Sequence, residues 1–193
     1  MPKLAKAGRR VVRLKSGDPM VFGRAAEELA ACRAAGIPVE VVPGITAALG
    51  AAAELQIPLT HRRHARRLQL VTGHADTGCA PAHDWASLAD PQTTTVFYMG
   101  ARTFAVMLPE LIAAGLDPNT PAIAVAAATT PRARRVDCGV KDLPAALAGF
   151  DLSEPTLILV GQTMVPAAQA AAQTAAHPFI VRSATQRGRA ALL

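Results

Sequence analysis

The sequence predicts an α/β protein. Short β-branched or apolar runs alternate along the chain with stretches whose apolar residues recur at i, i+3 and i+4. Apolar runs end repeatedly in glycine-bearing corners, at Gly17, Gly44, Gly73 and Gly100. Of the 193 residues 51% are hydrophobic and 18% charged, which suits a packed core and argues against disorder.

The elements follow in order. "RRVVRL" (9–14) reads as a strand, and a helix is expected from about Arg24, with Phe22, Ala26, Leu29 and Cys32 at helical spacing and Gly36 as its stop. "IPVEVV" (37–42) has the β-branched residues of a strand, with Pro38 at its entry. "PGITAALGAAAEL" turns at Gly44 and becomes a small-residue helix with Thr46 at the cap position. "RLQLVTG" (67–73) is a further strand, followed by an irregular stretch over 74–92. "TTTVFYMG" is a strand closed by Gly100, and Phe104, Met107, Leu108, Leu111 and Ile112 then form a helical stripe that Gly115 ends. "PAIAVAA", residues 134–138 and "PTLILVG" read as strands, with "LPAALAGF" as a short helix between the last two. The division expected is a partial α/β domain over 1–90, a second α/β domain over 91–165 and an alanine-rich, then basic, tail over 166–193.

The formal charge of +6 and a pI near 9.9 favour anionic partners. Aromatics make up only 4%, too few for base-stacking platforms, so nucleic acid is not expected as a partner. Cys32, Cys79 and Cys138 are scattered and form no CxxC, which predicts neither a disulfide framework nor a zinc site and fits a reducing cytoplasm. No apolar run reaches membrane-spanning length, and no membrane partner is expected.

The richest corner is "RLKSGDPMVFGR" (13–24). It has neither the GxxxxGK[ST] of a phosphate loop nor the GxGxxG of a dinucleotide fingerprint. Asp18 inside the turn would repel a phosphate. The corner suits a ligand bearing hydroxyls or positive charge, and in an α/β sheet such a ligand lies beyond the carboxyl ends of the strands.

"RLKSGDPMVFGRAAEE", "GIPVEVVPGITAALGAAAELQIPLTHR", "LVTGH", "VFYMG", "TTPRARR" and "PTLILVG", in that order, strongly resemble the tetrapyrrole methylase family, in its uroporphyrinogen-III C-methyltransferase branch. The resemblance runs from about Lys3 to about Val165. It implies two α/β domains with a cleft for S-adenosylmethionine between them, and no metal. It implies methylation of uroporphyrinogen III to precorrin-2 on the way to siroheme or cobalamin, by a cytoplasmic homodimer. It places the cofactor contacts on Ser16, Gly17, Asp18, Val21, Thr46, Ala47, Met99 and Ala128. Arg24, with Arg62 and Arg132 as alternatives, is the expected clamp for a carboxylate of the substrate. His61 and His64 are not expected to hold a metal, and His74 lies near the cleft.

The chain departs from the family pattern in several places. Ser16, Ala25, Ala26 and Ala128 stand where the family commonly has glycine. The family's glycine-rich opening strand, which carries its proposed acid/base residues, matches nothing ahead of "VVRL", so no catalytic residue can be assigned. The expectation is an N-terminally shortened chain with an incomplete first domain, weakly stable by itself and impaired in activity. The rival readings are an inactive tetrapyrrole-binding remnant, a methylase of a later corrinoid intermediate, and a basic nucleic-acid-binding module.

Overall fold

The structure is a computed structural model, and it describes residues 1–74 and 81–165. The expected tail over 166–193, and Cys79, lie outside the described residues. The elements are α1 (Pro2–Lys6), α2 (Ala25–Ala34), α3 (Ala47–Leu55), β1 (Arg67–Thr72), α4 (Trp85–Leu88), β2 (Thr93–Tyr98), α5 (Phe104–Ala113), β3 (Pro121–Ala126), β4 (Arg134–Gly139), α6 (Leu143–Leu147) and β5 (Thr156–Val160). A 3-10 turn, Val140–Asp142, leads into α6.

The strands form one mixed sheet in the order β1-β2-β5-β3-β4. β1 and β2 run parallel, Arg67 opposite Thr93 through Thr72 opposite Tyr98. β5 is antiparallel to both β2 and β3, and β3 is antiparallel to β4. β1, on the near side of the expected boundary at residue 90, is thus hydrogen-bonded to β2 on its far side.

Side-chain alternation divides the core between the two faces of this sheet. Phe97, Ala122, Ala124, Ile158 and Val160 point one way and pack with Phe104, Met107 and Leu111 of α5 and Leu143 and Leu147 of α6. Val96, Tyr98, Ile123, Val125, Leu157 and Leu159 point the other way and pack with Ala48, Ala51 and Leu55 of α3. β2 and β5 are buried along their whole length, β5 as a largely apolar run and β2 with three threonines followed by Val96, Phe97 and Tyr98. Burial of a side chain such as Phe97 or Leu159 contributes roughly 1.5–3 kcal/mol. α3 buries Ala48, Ala51 and Leu55 in this second cluster.

Two expected strands are not strands. Residues 9–14 and 37–42 are irregular, and neither pairs with a strand among the described residues. Their composition is that of strands, but a strand exists only through pairing. Val12 and Leu14 are accordingly 73% and 80% exposed. The helix between them forms as expected: Gly36 takes φ +67°, and the Gly36 and Ile37 amides donate to the Arg33 and Cys32 carbonyls, closing α2.

Candidate functional site

The corner that follows Leu14 is held by its own side chains. Lys15 pairs with Glu28 of α2 at 2.7 Å and also donates to the Gly23 carbonyl. That bond to Lys15 is the main reason the Glu28 carboxyl sits below its ordinary range. Asp18 accepts the Met20 amide on Oδ1 at 2.8 Å and the Gly44 amide on Oδ2 at 2.9 Å. The Gly44 amide first, and the Met20 amide second, hold the Asp18 carboxyl below its ordinary value. Asp18 therefore joins two corners that are distant in sequence, while lone pairs remain on both oxygens for a ligand.

The same two corners touch through main chain. A Cβ on Gly44 would collide with the Gly17 carbonyl, so only glycine permits this approach. A second pair behaves alike: a Cβ on Gly73 would collide with Gly100 Cα. Thr103 Oγ1 reinforces that second junction by donating to the Gly73 carbonyl at 2.5 Å.

Tyr98 connects the two junctions. Its carbonyl accepts the Gly73 amide at 2.7 Å. Its hydroxyl lies 2.6 Å from Thr46 Oγ1 and accepts the Ala48 amide at 2.9 Å. The Phe22 ring stands 4.7 Å from the Tyr98 ring, centroid to centroid, at 44°. A third approach comes from the loop after β3, where Thr129 donates its amide to Glu54 of α3 at 2.6 Å and faces Gly50.

The expected cofactor residues fall around this assembly. Val21 and Ala128 are half-buried and pack on the same cluster as Ala48, Tyr98 and Leu157. Thr46 is buried beneath them and Asp18 is half-buried. Ser16, Gly17, Ala47 and Met99 present exposed atoms at the rim. Alongside runs an open groove of about 770 Å³ lined by Ile45, Leu49, Gly50, Ala53, Thr129 and Pro131 among others. The backbone here is strained: Phe22, Arg24, Met99, Ala127 and Thr129 all have positive φ, between 48° and 66°.

The basic candidates are more scattered. Arg24 is exposed and makes a two-pronged contact with Glu27 at 2.6 and 3.0 Å. Arg132 pairs with Glu154 at 2.9 Å. Arg62 is exposed in the segment where the His61 and His64 rings stack at 4.7 Å. His74 sits at the end of β1, its amide 3.2 Å from Thr72 Oγ1. Among the described residues no group of three or more His, Cys, Asp or Glu is placed to hold a metal.

Sequence reasoning missed Tyr98. The signal was available: the chain's one tyrosine, following Val96 and Phe97 in a run that reads as a strand, must find a partner for its hydroxyl if it is buried. Thr46 was expected to cap α3 and occupies the cap position, but its side chain makes no capping bond.

A family model described as "Tetrapyrrole (Corrin/Porphyrin) Methylases" matches residues 1–144. The chain is 49% identical over 159 residues, 82% of its length, to a uroporphyrinogen-III C-methyltransferase of Paracoccus denitrificans. It is 48% identical over 162 residues, 84% of its length, to a siroheme synthase of Nitrosospira multiformis. It spans 55% of the length of the first relative and 34% of the second. Among solved structures it resembles the uroporphyrin-III C-methyl transferase of Thermus thermophilus complexed with S-adenyl homocysteine. That match has a TM-score of 0.72 and 37% identity, over 83% of this chain and 69% of the other.

Proposed function

This chain belongs to the tetrapyrrole (corrin/porphyrin) methylase family, and we propose that it supplies the methyl-donor site of a uroporphyrinogen-III C-methyltransferase leading to siroheme or cobalamin. Support comes from the relatives' names, from the S-adenyl homocysteine in the Thermus thermophilus structure, and from the geometry of the corners. The observation that carries most weight is that Gly17–Gly44 and Gly73–Gly100 are main-chain contacts joined through Tyr98.

The residues present fit S-adenosylmethionine. Ser16, Gly17 and Ala47 are exposed, so this corner can offer polar groups to a ligand rich in them. Met99 brings a soft thioether, 52% exposed, suited to an adenine face or to sulfur. Val21 and Ala128 supply an apolar wall, and the Asp18 carboxylate, held ionised by two amides, favours a ligand carrying positive charge.

When bound, S-adenosylmethionine supplies an electrophilic methyl group on a sulfonium, which a pyrrole carbon of uroporphyrinogen III takes up with loss of a proton. The chain's own part is positional. Rigid corners fix the donor relative to the acceptor, and the apolar wall limits water at the reacting centre. Arg24, at the edge of the same corner, is the residue we assign to a substrate carboxylate, exchanging Glu27 for it. A homodimer and a cytoplasmic location belong to the same reading; no helix among the described residues is long and apolar enough to cross a membrane.

The test is calorimetric titration of the chain with S-adenosylhomocysteine, together with its thermal shift. Saturable heat and a rise in Tm are expected. No heat and no shift would overturn the reading.

A further inference from the structure

We infer that Tyr98 is the positioning residue of the donor site, and that its hydroxyl sets the distance between the start of α3 and the end of β2. The inference rests on the proposed function, because Thr46 and Ala47 on one side and Met99 on the other are taken there as donor contacts. Tyr98 itself lies beneath them, 8% exposed, and need touch no ligand.

The hydroxyl makes two bonds to the same short segment. Ala48 is the second residue of α3, and its amide is one of the donors that no helical carbonyl can satisfy. A cap from Thr46 would ordinarily take such an amide, yet the Thr46 side chain does not bond to the helix. The Tyr98 oxygen takes it instead, at 2.9 Å, and holds Thr46 Oγ1 at 2.6 Å. The cap of α3 is therefore supplied from the sheet, fifty residues further along the chain than Ala48.

The other end of the tyrosine is equally fixed. Its backbone is paired in β2, opposite Thr72 on one side and Leu157 on the other. Its carbonyl receives the Gly73 amide. Met99, the next residue, leaves the strand with φ +55°. A phenol ring is rigid, so the separation of Met99 from Thr46 and Ala47 is fixed by one side chain of constant length. Phe22 lies against the same ring and extends the tie to the first corner.

The test is Tyr98→Phe, which keeps the ring and removes only the oxygen. Its control is Phe97→Leu, one residue away on the opposite face of the sheet, packed against Phe104. Three quantities are read from each variant: Tm, the S-adenosylhomocysteine Kd measured well below Tm, and amide hydrogen exchange at Ala48 without ligand. Tyr98→Phe is expected to weaken binding by about tenfold or more and to speed exchange at Ala48 by a similar factor. Phe97→Leu is expected to lower Tm while leaving Kd within about twofold. Unchanged Kd and unchanged Ala48 exchange in Tyr98→Phe would overturn the inference, as would equal loss of affinity in both variants. If the unmodified chain gives no heat with S-adenosylhomocysteine, the donor-site reading falls and takes the positioning role with it. Kd near the parental value in Tyr98→Phe, with the parent binding well, overturns the positioning role alone.

Discussion

Gly44→Ala puts the corner-to-corner contact to the most direct trial. A Cβ there collides with the Gly17 carbonyl oxygen and meets the carbonyl carbon at 3.1 Å and Asp18 Cα at 3.4 Å. All three are backbone atoms, so no rotamer change relieves the overlap. Gly44 does not sit in the left-handed region, so the whole effect is steric. Overpacking of this kind costs about 1–3 kcal/mol, or about 2–12 °C in Tm for a chain of this size. Relief requires the two corners to separate, which also stretches the 2.9 Å bond from Gly44 to Asp18. The S-adenosylhomocysteine affinity should then fall by about tenfold or more. Gly115→Ala is the comparison: its φ is +103° and nothing lies within 4 Å of its Cβ, so it carries backbone strain without any clash. Thermal melting and calorimetric titration of the two variants separate the effects. If Gly44→Ala binds as tightly as the parent, the close approach of Gly17 and Gly44 has no part in ligand binding.

The remaining predictions concern the same corners. The Asp18 carboxyl has its folded pKa lowered by the Gly44 and Met20 amides, so its contribution to stability is complete above the unfolded value of about 3.9 and is lost as pH falls through the folded one. The Tm advantage of the parent over Asp18→Asn should therefore be full at neutral pH and shrink once pH drops below about 4; an advantage independent of pH would refute the ionised clamp. Met99→Gly should raise Tm by relieving a φ of +55° while weakening S-adenosylhomocysteine binding, and a parallel gain or loss of both would deny Met99 its ligand contact.

Where the chain's instructions are local, the sequence was readable. Of the expected stripe, Phe104, Met107, Leu108 and Leu111 are buried while Ile112, at its edge, is exposed, and Gly115 closes α5 in a left-handed conformation. The β-branched and apolar runs at 93–98, 121–126 and 156–160 became the inner strands. Where the outcome depends on a distant partner, composition misled. Val12, Leu14, Val39 and Val41 have the propensity of strand residues but no strand beside them among the described residues, and they stay exposed in irregular chain. The order of the sheet was equally hidden, because β5 inserts between β2 and β3 by non-local pairing. Within the site, Gly17 and Gly44 were recognisable as corners, yet nothing local says that they touch. Asp18 was legible as a turn residue with a free carboxylate, but its role in tying the two corners through the Met20 and Gly44 amides was not.

The distribution of backbone strain follows from this division of labour. Of the non-glycine residues with positive φ, Phe22, Arg24, Met99, Ala127 and Thr129 border the candidate site, and Gln56 ends α3. A left-handed conformation costs an L-residue roughly 1–2 kcal/mol, and glycine at each position would remove most of that. At Gln56 the conformation closes a helix, which accounts for it without a ligand. Met99 and Ala127 end no helix, and each is the first residue after a paired strand, β2 and β3 respectively. Among the side chains that glycine would eliminate are the thioether of Met99 and the Phe22 ring against Tyr98. At Met99 a large side chain is kept at a strained, exposed position with no helix end to account for it, which fits its assignment as a ligand contact. That is why Met99→Gly, stabilising in the fold and weakening in the site, separates a strained ligand contact from a strained loop.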